Sequence, residues 1–392
     1  MKIAQVSHVY RPSIGGIENY IYNLNNELRS RGHEVRALTT TSSFSGSSPL
    51  SAPDDAIYCD TDFELSNIPV SKELYKKVSS SDMDIFHFHN PFFPTTLTTL
   101  PAVPEDATSV VTLHGVNVFE PDKIPVKDYT SPSLKNNPIF LNGVRTVYKP
   151  LLRWVLSHVD KAIFLGQQQL DDFSRFIEVP VRKQAVIPNA ITGQFLQEVR
   201  NIEEKKEIEM VSQDKTTILY VSRFEDHKNP DLLIETVTSE LSDVENIEVV
   251  LIGSGESEYV DYLNEISDER ISILTDVPYP KLKQIYGLSD LFVFLGTWEG
   301  LPTVILEAMA AGMPIISTDV AAIPNVITDP NNGTLLDWPP CQEQLAEVLL
   351  RYIKNPEYSS RVGENNVSKV SEEYTWETVS RLVEDMYDQI TD

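Results

Sequence analysis

Cysteine is all but missing from this sequence. Cys59 and Cys341 are the two in 392 residues, too far apart for a metal-type spacing, so free thiols in a reducing compartment are the default. Long apolar runs are missing too. None approaches the ~18 to 20 uninterrupted residues that a spanning helix needs, and the best stretch, Leu151 to Leu165, is broken by Arg153, His158, Asp160 and Lys161. An integral membrane protein is therefore not expected. The start, MKIAQVSHVY, has no long apolar segment ahead of a cleavage site and reads as a first strand, so no export signal is inferred and a cytoplasmic location is expected. The sequons at Asn332 and Asn366 are then accidental. Positive charge is the third scarcity: 32 Lys and Arg face 58 Asp and Glu, a net charge of -26. That balance argues against nucleic acid and against docking through a large polybasic surface on anionic lipid. Such an acidic excess is common in proteins adapted to high salt, and a salt requirement is an expectation here.

The length is too great for one ordinary core, and 41% hydrophobic residues can bury two. Residues 2 to 8 read as a strand, followed by Gly15-Gly16 and a helix from Glu18 to Arg31 with apolar spacing at Ile17, Ile21, Leu24 and Leu28. Gly32 closes the helix and VRALTT makes a second strand, completing a βαβ unit. Further strands are expected at Ile85 to His89, Ser109 to Leu113, Ala162 to Leu165 and Ala185 to Ile187. A second series restarts at Thr217 to Val221 and runs through a helix from Asp231 to Glu240, a strand from Ile247 to Ile252 and a helix from Lys281 to Gly287. Strands alternating with helices imply parallel sheets with right-handed crossovers. The fold class expected is α/β, two doubly wound Rossmann-like domains facing a central cleft. Boundaries are placed at 1–195, a charged linker 196–215, 216–374, and a closing helix in 375–392 with Val379, Leu382, Val383, Met386 and Ile390 on one side. The patch SSFSGSSPLSAP from Ser42 reads as a mobile loop.

The stretch from Leu291 to Thr318, LFVFLGTWEGLPTVILEAMAAGMPIIST, is the most informative. It reads strand, Gly-rich turn, helix, strand. Glu299 lies in the turn and Glu307 eight positions on within the helix, so both can face a crevice at the carboxyl end of a strand, where open α/β sheets bind ligands. A carboxylate there suits sugar hydroxyls and the helix start suits a phosphate. A solvated surface pair is the bland alternative; for Glu307, beside Leu306, Ala308 and Met309, it is the costlier one. In VSRFEDHKNP a strand delivers Arg223 and, five residues later, Lys228 to one loop, two cations able to hold a diphosphate. Gly15-Gly16 lets backbone approach a ligand closely, although a tight turn alone would explain it.

The Glu299-x7-Glu307 segment resembles the signature of the family 4 retaining glycosyltransferases, and the likeness extends over nearly the whole chain through Arg223-x4-Lys228, the VYRPSIGGIENY loop and TLHG at His114. The resemblance implies a two-Rossmann-domain, GT-B type fold whose closing helix crosses back to brace the first domain. It further implies Glu307 on the ribose hydroxyls, Glu299 and His114 on the donor sugar, Gly16 on phosphate, and the turn Gly300, Leu301, Pro302 and Thr303 supplying amides. Gly253 and Gly255 of IGSGE, which mimic a dinucleotide fingerprint lacking its third glycine, would lie beside the nucleotide with Val277 to Tyr279 along the base. Glu18 would belong to the acceptor side; His87, His89 and His158 read as structural, with an acceptor-side place kept open for His89. Four places depart from the pattern: Asn229 for a common Gly, Ala321-Ala322 for Gly-Gly, Pro324-Asn325 for Pro-Glu, and Gly166-Gln167 for a usual Ser. Asp60-x-Asp62 and Asp82-x-Asp84 mimic a metal-binding pair, but the spacing is a common accident and no essential metal or cofactor is expected.

The reaction expected is transfer of a hexosyl unit from a nucleotide diphosphate sugar to a glycan or lipid-linked hydroxyl acceptor, with retention. An isomerase or phosphorylase of the same architecture, or an inactive nucleotide-sugar-binding partner, are the alternatives; the intact Arg223, Lys228, Glu299 and Glu307 set argues against the last. Peripheral contact at the inner membrane face would use the helix around Arg145, Lys149, Arg153 and Trp154, for which ordinary packing with snorkelling cations is the simpler reading.

Overall fold

The computed structural model describes residues 1–13, 15–44, 51–65, 68–91, 93–115, 138–201, 211–212, 214–297, 299–328 and 330–391. The chain divides into two units, Met1–Pro188 with Val379–Asp392, and Asn189–Thr378. The division falls ahead of the charged 196–215 segment. Gly193–Arg200 is a helix whose buried Phe195 packs edge-on against Tyr286 in the second unit. Residues 202–210 and 213 of that segment, 45–50 of the Ser-rich patch and the Arg145 side chain lie outside the described residues.

The first unit has strands β1 (Lys2–Val6), β2 (Glu34–Thr40), β3 (Ala56–Cys59), β4 (Phe63–Leu65), β5 (Ile68–Val70), β6 (Ile85–His89), β7 (Thr108–Leu113), β8 (Lys161–Phe164) and β9 (Gln184–Val186). Seven of them form a parallel sheet in the order β3-β2-β1-β6-β7-β8-β9, and β4 and β5 pair as a separate antiparallel hairpin. The two faces of the sheet differ. Period-two alternation puts Ala4, Val6, Phe86, Phe88, Val111 and Leu113 on a face packed into an apolar core with Leu74, Leu152, Val155 and Phe173. The register Gln5↔His87 and His89↔Thr112 puts a polar row on the other face. That row is covered by Tyr20 of the helix Gly16–Ser30 and by Tyr387 of the final helix, Trp376–Thr391.

The second unit has β10 (Thr216–Val221), β11 (Ile247–Gly253), β12 (Ile271–Thr275), β13 (Leu291–Phe294), β14 (Ile315–Thr318) and β15 (Gly333–Leu336). Their order, β12-β11-β10-β13-β14-β15 with every pairing parallel, is the doubly wound arrangement in which the winding reverses between β10 and β13. Ile218, Tyr220, Val249, Leu251 and Val293 build its core with Leu233, Ile234, Leu345 and Leu349. Runs apolar on both faces are what a sheet covered twice by helices requires. Two α/β domains of the Rossmann kind are thus present.

Three elements differ from the sequence reading. The expected 231–240 helix is an α-helix only over Pro230–Glu235, and Thr236–Glu240 widens into a π turn. There the Thr236 and Thr238 hydroxyls donate back to the carbonyls of Leu232 and Ile234, competing with the regular ladder. On the final helix Leu382 is 43% exposed and Tyr387 is buried instead. The buried set is Trp376, Val379, Val383, Met386 and Tyr387, a stripe at three- and four-residue spacing. The strands β3 and β15 and the helices Gln342–Ile353 and Pro356–Glu373 complete the units beyond the elements expected. No helix among the described residues is long and apolar enough to cross a membrane.

Candidate active site

In the second unit the loops after β10 and β13 meet at the reversal of winding. They are stitched together by the Thr297 amide donating to the His227 carbonyl (2.9 Å), and by the Asn229 side chain donating to the Leu295 carbonyl (2.8 Å). Asn229 adopts φ 49°, ψ 45°, a left-handed conformation that asparagine tolerates better than most residues and glycine adopts freely, which accounts for the departure at that position. Lys228 is buried and paired with the Glu299 carboxylate, and its carbonyl accepts from the Tyr220 hydroxyl at 2.8 Å. Gly296 makes room for that pairing: a Cβ there would press on the Phe294 ring and lie 3.3 Å from a Glu299 oxygen. Arg223 is 62% exposed and is paired with Glu225. The two cations expected to act together both bear on His227, whose pKa falls to about 4 through burial and then through Lys228 and Arg223.

The helix Thr303–Ala310 starts after Gly300, Leu301 and Pro302 and carries Glu307. Burial raises the Glu307 carboxyl to about 7, and the Tyr286 hydroxyl opposite pulls it partly back. Tyr279, half exposed, also feels this carboxylate. Sequence reasoning did not find Tyr286 or Tyr279 as neighbours of Glu307, because they reach it from the separate helix Tyr279–Leu288. Gly253 and Gly255 have a local reason. A Cβ on Gly253 would collide with the Ser222 carbonyl, and one on Gly255 would lie 2.6 Å from the Phe224 carbonyl, so these glycines let the turn after β11 lie against the Arg223 loop. The Phe224 amide donates to the Ser254 carbonyl there at 2.7 Å. Val277 follows β12 and is half-buried.

In the first unit the winding reverses between β1 and β6. Gly15 and Gly16 begin the helix Gly16–Ser30; a Cβ on Gly16 would meet nothing within 4 Å, whereas one on Gly15 would strike the Glu18 carboxylate. Glu18 is turned inward, accepts from the Ser13 hydroxyl at 3.2 Å, and has its pKa raised by burial. His114 follows β7 and its Nε2 lies 2.9 Å from Nδ1 of His89. His89, kept open for the acceptor side, is fully buried with its other nitrogen 2.7 Å from Gln5 Oε1, so it can reach a substrate only through His114. Burial holds His89 well below its ordinary pKa and His87 and His114 near about 3. Gln5, Tyr20, Thr112 and Tyr387 were not singled out from sequence; the alternation of His with Phe in IFHFH is the signal that one face of β6 is polar.

The paired aspartates sit elsewhere. Asp84 precedes β6 and accepts from the Lys2 amide at 2.7 Å, Asp82 pairs with the Lys2 ammonium, and Asp62 accepts from the Lys72 amide at 2.6 Å. Among the described residues no three His, Cys, Asp or Glu gather as ligands for a metal.

Comparison with known proteins follows the same division. Residues 14–193 match the family model described as Glycosyltransferase Family 4, and residues 201–369 match Glycosyl transferases group 1. The phosphatidylinositol N-acetylglucosaminyltransferase GPI3 subunit of Saccharomyces cerevisiae is 21% identical over 99% of this chain and 83% of its own length. The N-acetyl-alpha-D-glucosaminyl L-malate synthase of Bacillus anthracis is 21% identical over 96% and 94%. Among solved structures, sucrose-phosphate synthase from Thermosynechococcus elongatus has a TM-score of 0.75 at 16% identity, covering 99% of this chain and 98% of its own. Anabaena HepE in complex with UDP has a TM-score of 0.75 at 14% identity, covering 99% and 100%. With the two family models spanning nearly the whole chain and GT-B glycosyltransferases as its structural neighbours, the protein belongs to the family 4 glycosyltransferases.

Proposed function

We propose that the protein transfers a hexosyl unit from a nucleotide diphosphate sugar to a hydroxyl acceptor, with retention at the anomeric carbon and without an essential metal or cofactor. The observation that carries this reading is the Lys228–Glu299 ion pair where the second sheet reverses its winding, with Glu307 on the helix that follows. Each cation is matched by a carboxylate, Lys228 by Glu299 and Arg223 by Glu225. A diphosphate competes for both cations. Arg223 offers it a planar fork and Lys228 a point charge, and both offset the charge that grows on the departing nucleoside diphosphate. Glu299, once released, accepts from sugar hydroxyls, and Glu307 accepts from the ribose. Backbone amides of Gly16 and of the Gly300–Thr303 turn, Pro302 excepted, serve phosphate and sugar, while Gly253, Gly255 and Val277 flank the nucleotide. In the first unit His114 meets a substrate hydroxyl. No carboxylate serves as nucleophile: the departing phosphate oxygen helps deprotonate the acceptor on the same face.

Support for the donor class comes from the relatives, since HepE is seen with UDP and the yeast and Bacillus proteins are named for N-acetylglucosaminyl chemistry. Their names differ on the acceptor, one a phosphatidylinositol and the other L-malate. We place this protein in surface glycan, glycolipid or exopolysaccharide synthesis on the cytoplasmic side of a membrane. The test is thermal stabilisation by UDP, GDP, ADP and their sugars with EDTA present, followed by turnover of Arg223→Ala and Lys228→Ala. Stabilisation by one nucleotide family and a loss of at least ~10²-fold in turnover are expected. Wild-type turnover in both variants would sink the diphosphate assignment, and an inverted anomeric configuration in the first product seen by NMR would sink retention.

A further inference from the structure

The polar row on the first sheet is a continuous chain of hydrogen-bonding groups that ends on His114. Gln5 Oε1 lies 2.7 Å from His89 Nε2, and His89 Nδ1 lies 2.9 Å from His114 Nε2. A parallel branch runs from the Tyr387 hydroxyl to His87 Nδ1 (2.6 Å) and from His87 Nε2 to the Thr112 hydroxyl (2.6 Å). The two branches lie side by side on the sheet, through the register Gln5↔His87 and His89↔Thr112. Gln5, His87, His89, Thr112 and Tyr387 are buried, so the protons shared between the bonded nitrogens and oxygens of the row are fixed by their partners rather than by water.

A neutral imidazole carries one N–H and one bare nitrogen, and the partner of one sets the role of the other. The Gln5 oxygen can only accept, so His89 Nε2 carries the proton and His89 Nδ1 is bare. His114 must then donate from Nε2, which leaves its Nδ1 bare. In the parallel branch both partners of His87 are hydroxyls, which can donate or accept, so that branch fits either direction. Turning the Gln5 amide over would reverse the Gln5–His89–His114 chain and place a proton on His114 Nδ1. The reversed chain would need both histidines as the Nδ1–H form, whereas the direction found uses the Nε2–H form, which neutral imidazole side chains prefer in water, at each.

We propose that His114 receives its substrate hydroxyl as a hydrogen-bond acceptor through Nδ1, and that Gln5, acting through His89, is the positioning residue that sets this polarity. The proposal rests on the reading of His114 as a substrate contact. It makes the site selective for a group that can donate: a hydroxyl fits, and a deoxy or methoxy group at that position does not.

The test is long-range ¹H–¹⁵N correlation on protein labelled at histidine nitrogen, with His114→Asn identifying the signals. In the free protein Nδ1 of His114 is expected to resonate as a bare nitrogen; a protonated Nδ1 would overturn the polarity. UDP-N-acetylglucosamine, UDP-glucose, GDP-mannose and ADP-glucose are then added in turn, each also scored for thermal stabilisation. The expected result is that the stabilising nucleotide sugar shifts the Nδ1 signal toward the hydrogen-bonded position. Stabilisation with an unmoved Nδ1 would overturn the His114 contact while the nucleotide seat stands; stabilisation by none of the four would bring down the donor reading and this inference with it. Gln5→Met, which keeps the volume and removes the amide, should yield folded protein in which the protonated Nδ1 form of His114 becomes detectable. An unchanged signal would show that Gln5 does not set the polarity. Should that variant fail to fold, Gln5→Leu, which also removes the amide, carries the same expectation.

Discussion

Glu307 is a carboxyl whose place in the fold favours its neutral form. Burial raises it from an ordinary 4.5 to about 7, so between those values the folded state holds more protons than the unfolded state. Its contribution to stability is complete below pH 4.5 and is lost as pH rises through 7. Glu307→Gln is therefore expected to stabilise the protein at pH 8 by up to about 3 kcal/mol and to make little difference at pH 4.5, read as the unfolding midpoint in urea at each pH. The same variant should lose stabilisation by nucleotide if the carboxylate holds a ribose; a constant difference across pH would refute its raised pKa. Ala321 makes a second case. It adopts φ 52°, where a Cβ costs roughly 1–2 kcal/mol, at one of the places where the family pattern has glycine. Ala321→Gly relieves that strain but adds about 0.5–1 kcal/mol of unfolded-chain entropy, so a rise in melting temperature equivalent to about 0.5–1 kcal/mol is expected from calorimetry. No rise would mean the strain is already relaxed.

At the level of elements, the polar face of the first sheet makes that unit sensitive to acid. His87 and His114 are held near about 3 by burial against an ordinary 6.5. They stay neutral in the fold while the unfolded chain takes up protons, so the stability they contribute is present above pH 6.5 and is lost as pH falls toward 3. Each can cost up to about 2 kcal/mol between pH 6.5 and 5. Glu307 acts in the opposite sense over part of this range, so the cleaner experiment compares urea midpoints at pH 7 and pH 5 in the Glu307→Gln background. A lower midpoint at pH 5 is expected, and an equal one would contradict neutral burial of the histidine row. Much of this element was readable in advance: β6 and β7 fall within one residue of where apolar runs place them. The partners of His87 and His89 were not, because a histidine in a strand gives no sign of what lies across the sheet. Gln5 meets the row only because β1 pairs with β6, and Tyr387 only because the final helix returns to the first unit.

For the whole molecule, 58 acidic against 32 basic side chains set the response to salt. Among the described residues the buried acids are Glu18 and, by its carboxyl, Glu307, and the excess charge on the others sits at or near the surface, where self-repulsion opposes folding and added salt screens it. Melting temperature and turnover are expected to rise from low to molar potassium chloride. A flat or falling response would remove salt adaptation as the reason for the composition.

The sequence by itself determined the fold class and the short motifs that carry the site proposed in the second unit. Apolar runs alternating with helical spacing specify parallel strands and crossovers, and a ligand crevice lies just after such strands, so Lys228, Glu299 and Glu307 could be found within short local motifs. The tertiary structure decided the partners of those residues. Only strand order and helix return show that Lys228 is held by Glu299, that Tyr286 faces Glu307, and that Gln5, His89 and His114 form one chain. The physical reason is range: period and turn chemistry act over a few neighbouring residues, whereas ion pairs and buried hydrogen bonds join groups that topology alone brings within three ångströms.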